Sequence, residues 1–451
     1  MLGSPAIQKH ESSEITGNLA VDTREYSTNR SHARSVSEKS PTVRHLRVVY
    51  AAGPGDVIGT FHHWLQGPDD PSQVSVTYSG QFYDVCQELH VESYTIASCR
   101  SPGSLQQGSF TLVHRAISFE TAPTFLYHLG QLLSAVRLLL SALRFRAHVV
   151  VVSSGTAYWF CLALFPLFGI KVIPSLHCVL WPKKKPQSRG ARIVRWLDGR
   201  FFRRVPCAIL SASHEIAEQI EELTASRHPP VLEFLPTYRR EEFAESGLPS
   251  SVRHPFRVLY AGRIERDKGV FDLFEIARRF VAAGRGEIVF DLCGTGSALE
   301  ELRMQSAAGN LEERFRLHGH CSKPVMRQMY AQSHIVIVPT TSDFVEGFNQ
   351  VVAEGILSGR PVITSDVCPA LDYVREGVVE VPTDDVQAYG NAILKLCDDV
   401  EFYEAKRAAC MTLQSPFYDA ERGWGAALTK AILTFYHPSP SPASILAKPS
   451  A

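Results

Sequence analysis

Two glutamates, Glu346 and Glu354, are separated by seven residues in the run Glu346-Gly347-Phe348-Asn349-Gln350-Val351-Val352-Ala353-Glu354. The apolar stretch Ile335-Val336-Ile337-Val338-Pro339 precedes them, and Gly355-Ile356-Leu357-Ser358-Gly359-Arg360-Pro361-Val362-Ile363 follows. This order reads as a strand, a loop carrying one carboxylate, a helix carrying the other, a glycine stop and a new strand. With the helix predicted to begin near Phe348, Glu346 precedes its first turn and Glu354 lies about two turns along, roughly 10 Å away. Such a separation suits the two ends of a sugar nucleotide, one carboxylate taking hydroxyls of the sugar and the other those of the ribose. A solvated helix face accounts for two glutamates at this spacing equally well.

A diphosphate between those ends needs cations. Tyr260-Ala261-Gly262-Arg263-Ile264-Glu265-Arg266-Asp267-Lys268-Gly269 follows a predicted strand and leads into a predicted helix. Glycine allows the tight turn after the strand, and Arg263 and Lys268 then sit ahead of a helix N-terminus whose free N–H groups favour an anion. A surface loop with solvated charges is the alternative. Earlier in the chain, Gly53-Pro54-Gly55-Asp56 follows the strand Leu46-Arg47-Val48-Val49-Tyr50-Ala51. A lone glycine loop of this kind is weak, since a tight turn explains it too. His177 ends the apolar run from Lys171 to Leu176, which sets it at a strand's carboxyl end, where open α/β sheets bind ligands. A histidine satisfied in the core is its other reading.

The elements that must position these residues fall into two series. Strands at 46–51, 148–152, 171–175 and 207–211, then at 256–261, 287–293, 315–318, 335–339 and 361–365, alternate with helical patterns, the mark of parallel sheets. The fold class is α/β, with two Rossmann-like doubly wound domains at 45–237 and 256–415. A polar linker at 238–255 joins them, and a helix at about 416–436 is placed to pack back across the boundary. The Ser-rich residues 1–44 and the proline-rich 437–451 read as a disordered leader and tail. The chain of 451 residues is long enough for two cores. Its 46 basic and 46 acidic residues leave no net charge to point to nucleic acid. Ten scattered cysteines without a C-x-x-C pair read as reduced thiols in a cytoplasmic protein.

Gly262-Arg263…Lys268-Gly269, Gly294-Thr295-Gly296, the strand at 335–339, and Glu346-Gly347-Phe348…Glu354-Gly355…Gly359-Arg360-Pro361 occur in the order found in family-4 glycosyltransferases. The chain resembles these enzymes closely over residues 255–400 and more loosely in its first domain. The resemblance implies a GT-B fold and a hexosyl transfer with retention of configuration, in glycan, polysaccharide or glycolipid synthesis. Arg263 and Lys268 would hold the donor diphosphate, and Glu346 with the backbone of Gly347 and Phe348 the sugar. Glu354 would take the ribose, His177 would contact the sugar, and Gly55, Gly262 and Gly294 would lie beside the donor. Many members have glycine where this chain has Asn349, so the choice of sugar is not inherited. No cofactor or metal is expected; the nucleotide sugar is a co-substrate and the acceptor a glycan or glycolipid.

Between Lys183 and Arg204 nine Lys or Arg face a single acid, Asp198, interleaved with apolar residues. An anionic membrane surface and a solvated helix face both fit this segment. From Ala147 to Ile170 no charge occurs, but Ser153-Ser154-Gly155-Thr156 divides the stretch, so a buried strand and a buried helix are expected rather than a membrane span. A sugar-nucleotide epimerase or a phosphorylase on the same fold, and an inactive binding protein, are the competing readings.

Overall fold

The computed structural model describes residues 46–116, 124–186, 188–244, 254–343 and 345–436. The leader at 1–44, the tail at 437–451 and residues 245–253 of the expected linker lie outside these. The described chain forms two mostly parallel sheets. The first contains β1 (Arg47–Pro54), β2 (Glu92–Ser98), β3 (Gly103–Gln107), β4 (Phe110–Arg115), β5 (Val149–Ser153), β6 (Lys171–Leu176), β7 (Ile209–Ser211) and β8 (Val231–Glu233). Their order is β3-β4-β2-β1-β5-β6-β7-β8, with only β3 antiparallel. The second contains β9 (Phe256–Ala261), β10 (Ile288–Cys293), β11 (Phe315–Gly319), β12 (Ile335–Val338), β13 (Val362–Ser365) and β14 (Val378–Val381), ordered β11-β10-β9-β12-β13-β14.

Strands covered on both faces read as unbroken apolar runs, and those are the ones visible in sequence. Val149 to Ser153 is buried at every position, as is Ile335 to Val338. β2, β3, β4, β8 and β14 are additions to the expected set. β2 and β4 mix polar with apolar residues, β3 is largely exposed, and β8 has three residues. None of these carries the continuous hydrophobicity of a central parallel strand.

Two expected helices change. The segment Trp159–Phe168 is a 3₁₀ stretch with Pro166 inside it, and it is not wholly buried: Leu164, Leu167 and Phe168 face outward. Proline lacks an N–H and obstructs regular α-helical bonding, which explains the tighter geometry. The helix after Glu346 begins at Gln350 rather than near Phe348, because the Asn349 side chain caps it by accepting the Val351 N–H at 3.1 Å.

The final helix, Trp424–Phe435, packs on the first domain against the Tyr78–Leu89 helix and β7. Gly425 N–H donates to Gln81 Oε1 at 2.9 Å, and Leu235 N–H to the Arg422 carbonyl at 2.9 Å. Trp424 is fully buried there. No helix among the described residues is long and apolar enough to cross a membrane.

Candidate active site

The carboxyl ends of β6, from the first sheet, and of β9 and β12, from the second, meet at one cleft. Beyond β12 the loop carrying Glu346 is stitched to the end of β6 by main-chain bonds. Gly347 N–H donates to the His177 carbonyl at 3.0 Å, Val179 N–H to the Val345 carbonyl at 2.9 Å, and Cys178 pairs with Glu346 as an antiparallel bridge. Glycine is required at 347 by proximity: a β-carbon would stand 2.4 Å from Ile216 Cδ1 and 2.9 Å from the His177 oxygen. Phe348 turns its ring away, against Tyr373 and Phe417.

Glu346 is half-buried and bonded on both oxygens. Lys268 Nζ pairs with Oε1, and Asn349 Nδ2 donates to Oε2 at 3.2 Å. Asn349 therefore both caps the helix and steadies the carboxylate. Lys268 is placed by a 3₁₀ turn, Arg266–Lys268, that follows the β9 loop. That loop turns at Gly262, with φ +149°, and leaves Arg263 exposed at the cleft. Gly294 lies beneath it: a β-carbon there would be 1.7 Å from the Gly262 oxygen, so Gly294 lets the loop settle and does not itself line the cleft.

His177 closes the opposite wall, its ring 4.5 Å from that of Tyr78. Trp424 Nε1–H donates to Ser175 Oγ at 2.8 Å, and Ser175 Oγ lies 2.8 Å from His177 Nε2. With Trp424 donating to it, Ser175 Oγ has its own hydrogen available for Nε2, and in that arrangement a neutral ring carries its proton on Nδ1. Nδ1 is buried and has no protein partner among the described residues. Burial pushes the His177 pKa down to about 4, so the ring is neutral near pH 7. Neither Trp424 nor Ser175 carries a sequence signal for this role, since their contact spans 249 residues.

His177, Gly262, Arg263, Lys268, Glu346, Phe348 and Asn349 line one cavity of about 350 Å³, with Tyr78, Tyr260 and Gln350. Gly55 lies elsewhere, in a neighbouring cavity of about 430 Å³ in the first domain, beside Asp56, His63 and Asp70. Tyr78 lines both, so the two spaces share a wall. Asp56 caps the Val57–Gln66 helix through the Gly59 N–H at 2.7 Å. Among the described residues no group of three His, Cys, Asp or Glu is placed to hold a metal ion.

Glu354 lies outside the residues that line either cavity. It is buried, accepts the Tyr330 hydroxyl at 2.6 Å, and has its pKa pushed up to about 7 by loss of water. Because the folded value exceeds the ordinary 4.5, the native state binds more protons between about pH 4.5 and 7. Stability is then full below that window and declines as pH rises through it. Glu354→Gln keeps an acceptor for Tyr330 and removes the buried charge, so its melting temperature should exceed that of the parent at pH 8 and match it at pH 4.5. Melting curves at both values check this, and equal temperatures at pH 8 would refute it.

Residues 243–409 match the family model described as glycosyl transferases group 1. Among relatives, the α-D-kanosaminyltransferase of Streptomyces kanamyceticus is 24% identical over 276 residues, 57% of this chain and 69% of that protein. The 2-deoxystreptamine N-acetyl-D-glucosaminyltransferase of Niallia circulans is 25% identical over 152 residues, 33% of this chain and 38% of that protein. Alignment with this second relative thus covers well under half of its length. Among solved structures, sucrose-phosphate synthase from Thermosynechococcus elongatus superposes with a TM-score of 0.60 at 16% identity, over 86% of this chain and 98% of the other. The Anabaena protein HepE, crystallised with UDP, gives 0.57 at 13% identity over 86% and 98%. Residues 243–409 therefore resemble glycosyl transferases group 1, and the chain as a whole has the GT-B framework of two Rossmann-like domains.

Proposed function

We propose that this protein transfers a hexosyl group from a nucleoside diphosphate sugar to a hydroxyl of a glycan or glycolipid, with retention of anomeric configuration. The observation that carries the reading is the convergence of Lys268, Arg263, Glu346, Asn349 and His177 on one cleft between the domains. Arg263, Lys268 and the N-terminus of the Gln350–Leu357 helix receive the diphosphate. Glu346, the Gly347 and Phe348 backbone, Asn349 and the His177 Nδ1–H hold the sugar. Glu354 takes the ribose once Tyr330 gives up its hydrogen bond.

In the step itself the sugar C1–O bond to the diphosphate breaks and a bond from C1 to the acceptor oxygen forms. The hydroxyl proton passes to the departing diphosphate, whose growing charge Arg263 and Lys268 stabilise without a metal ion. The acceptor enters on the face the leaving group vacates, so no protein nucleophile is required. The UDP held by HepE and the transferase names of the relatives support a nucleotide-sugar donor. The Gly55 cavity, joined to the donor cleft at Tyr78, is the acceptor side of this reading. Action at the cytoplasmic face of an anionic membrane, through the arginine-rich helix within the basic segment 183–204, completes it.

The test is a thermal-shift series with UDP, GDP, ADP and their sugars, followed by nucleoside diphosphate release in the presence of acceptor extracts. A ligand that binds only the folded chain raises its melting temperature. One base should give a clear shift and its sugar should be consumed. If no nucleotide shifts the transition and none of the sugars is turned over, the reading fails.

A further inference from the structure

The segment 183–204 does not act as one basic strip. Lys183 pairs with Glu215 at 2.9 Å, while Lys184 and Lys185 reach across to Asp366 and Asp343 of the second domain. Those lysines tie the domains together. What remains is the helix Arg189–Arg204, which buries Phe201 and Phe202 and turns Ile193 and Trp196 outward, 62% and 55% exposed.

This helix is not alone. It packs beside the 3₁₀ segment Trp159–Phe168, which in turn packs beside the helix Thr124–Phe145. Trp159 stacks on Phe201, and Asp198 accepts the Phe160 N–H at 3.0 Å, so the first contact is firm. Each of the three elements leaves large apolar side chains in water. On Thr124–Phe145, Leu129, Leu133, Val136 and Leu140 recur at helical spacing on the side opposite buried Ala135, Leu138 and Ala142. On the 3₁₀ segment Leu167 is 77% exposed, with Phe168 beside it. Ten of the sixteen large hydrophobic side chains exposed among the described residues belong to these three elements. A cluster of this kind marks a surface that meets another apolar phase.

Charge decides which phase. Across residues 129–146, 159–168 and 188–204 there are nine arginines and one acid, and that acid, Asp198, is turned inward to the Phe160 N–H. Arg200 lies 3.6 Å over the Trp196 ring, an apolar and a cationic group side by side. Apolar side chains flanked by arginine, with no exposed carboxylate on the three elements themselves and with Glu222 of the adjoining helix paired to Arg195, match the boundary between anionic headgroups and acyl chains.

We infer that the outer faces of Thr124–Phe145, Trp159–Phe168 and Arg189–Arg204 form a single surface that lies on an anionic lipid bilayer, with the apolar side chains entering the headgroup layer. This deepens the membrane contact proposed above and rests on it, while being independent of the donor chemistry. The surface sits in the first domain, the acceptor side of that reading, so docking there would bring the acceptor cavity to a lipid-linked hydroxyl.

The test is sedimentation of the full chain with vesicles of phosphatidylcholine alone and of phosphatidylcholine mixed with phosphatidylglycerol. The parent should pellet with the mixed vesicles and be released by salt. Leu167→Glu with Phe168→Glu should lower the affinity about tenfold or more, since two apolar anchors are lost and two negative charges gained. Arg192→Glu with Arg200→Glu should lower binding to the mixed vesicles specifically. All four positions lie on the outer layer of the first domain, so the donor-induced thermal shift should be unchanged in both variants, which separates a failed surface from a failed donor site. A parent that stays in the supernatant, variants that pellet as the parent does, or a lipid-free dimer that the Leu167 and Phe168 changes dissolve would each overturn the inference.

Discussion

Lys268→Ala is expected to lower kcat by about 10²–10³-fold, the scale of losing one preorganised group that stabilises developing charge. Lys268 is mostly buried, is set by a 3₁₀ turn at the cleft edge, and pairs with Glu346. In the proposed function an arriving diphosphate competes for that ammonium and frees the Glu346 carboxylate for sugar hydroxyls, while the Asn349 Nδ2 bond keeps it oriented. The two side chains therefore act as a unit, and Glu346→Gln combined with Lys268→Ala should cost much less than the product of the single effects. Initial rates of nucleoside diphosphate release in the four proteins measure this. A Lys268→Ala enzyme whose kcat stays within threefold of the parent would remove Lys268 from the mechanism.

Gly347→Val is expected to be nearly as damaging for a different reason. Its β-carbon would meet two neighbours of unequal softness, Ile216 Cδ1 at 2.4 Å and the His177 carbonyl oxygen at 2.9 Å. The isoleucine methyl can swing aside, but the carbonyl belongs to the backbone at the end of β6. Overpacking of this kind costs about 1–3 kcal/mol and is relieved by moving the loop. The main-chain bonds from 345–347 to 177–179 would then open, carrying Glu346 away from His177 across the cleft. Expected readouts are a lower melting temperature, a raised donor KM and a lower kcat. Gly347→Ala should be milder, and adding Ile216→Ala to it should restore part of the loss. If Gly347→Val binds donor as the parent does, the close approach has no functional weight.

Much of this site was legible in the chain itself. Glu346, Arg263, Lys268 and the loop glycines lie within two short segments, each between an apolar strand and a helix, so local pattern sufficed to find them. Even there the sequence misjudged details set by side-chain bonding, such as the helix start, which the Asn349 cap moves to Gln350. Arg360 shows the opposite case. It belongs to the same family pattern, and what it does there is packing: its guanidinium is buried against the carbonyls of Ala331 and Ser333 and anchors the turn before β13.

What the sequence determined by itself was the succession of the buried central strands, the fold class, and the identity of the charged residues that meet at the interdomain cleft. These follow from periodicity and from turn chemistry, which act over a few residues. Only the tertiary structure decided the polar surroundings of His177, because they consist of Ser175 and, through it, of Trp424, 249 positions from Ser175. It also decided that Lys184 and Lys185 bind the second domain and that three separate elements share one apolar outer face. Contacts of that range depend on how the two sheets are brought together, and no local pattern encodes them. The glutamates that begin as a spacing are thus told apart by packing: Glu346 is half-exposed beside Lys268, and Glu354 is buried under Tyr330 with its proton held to about pH 7.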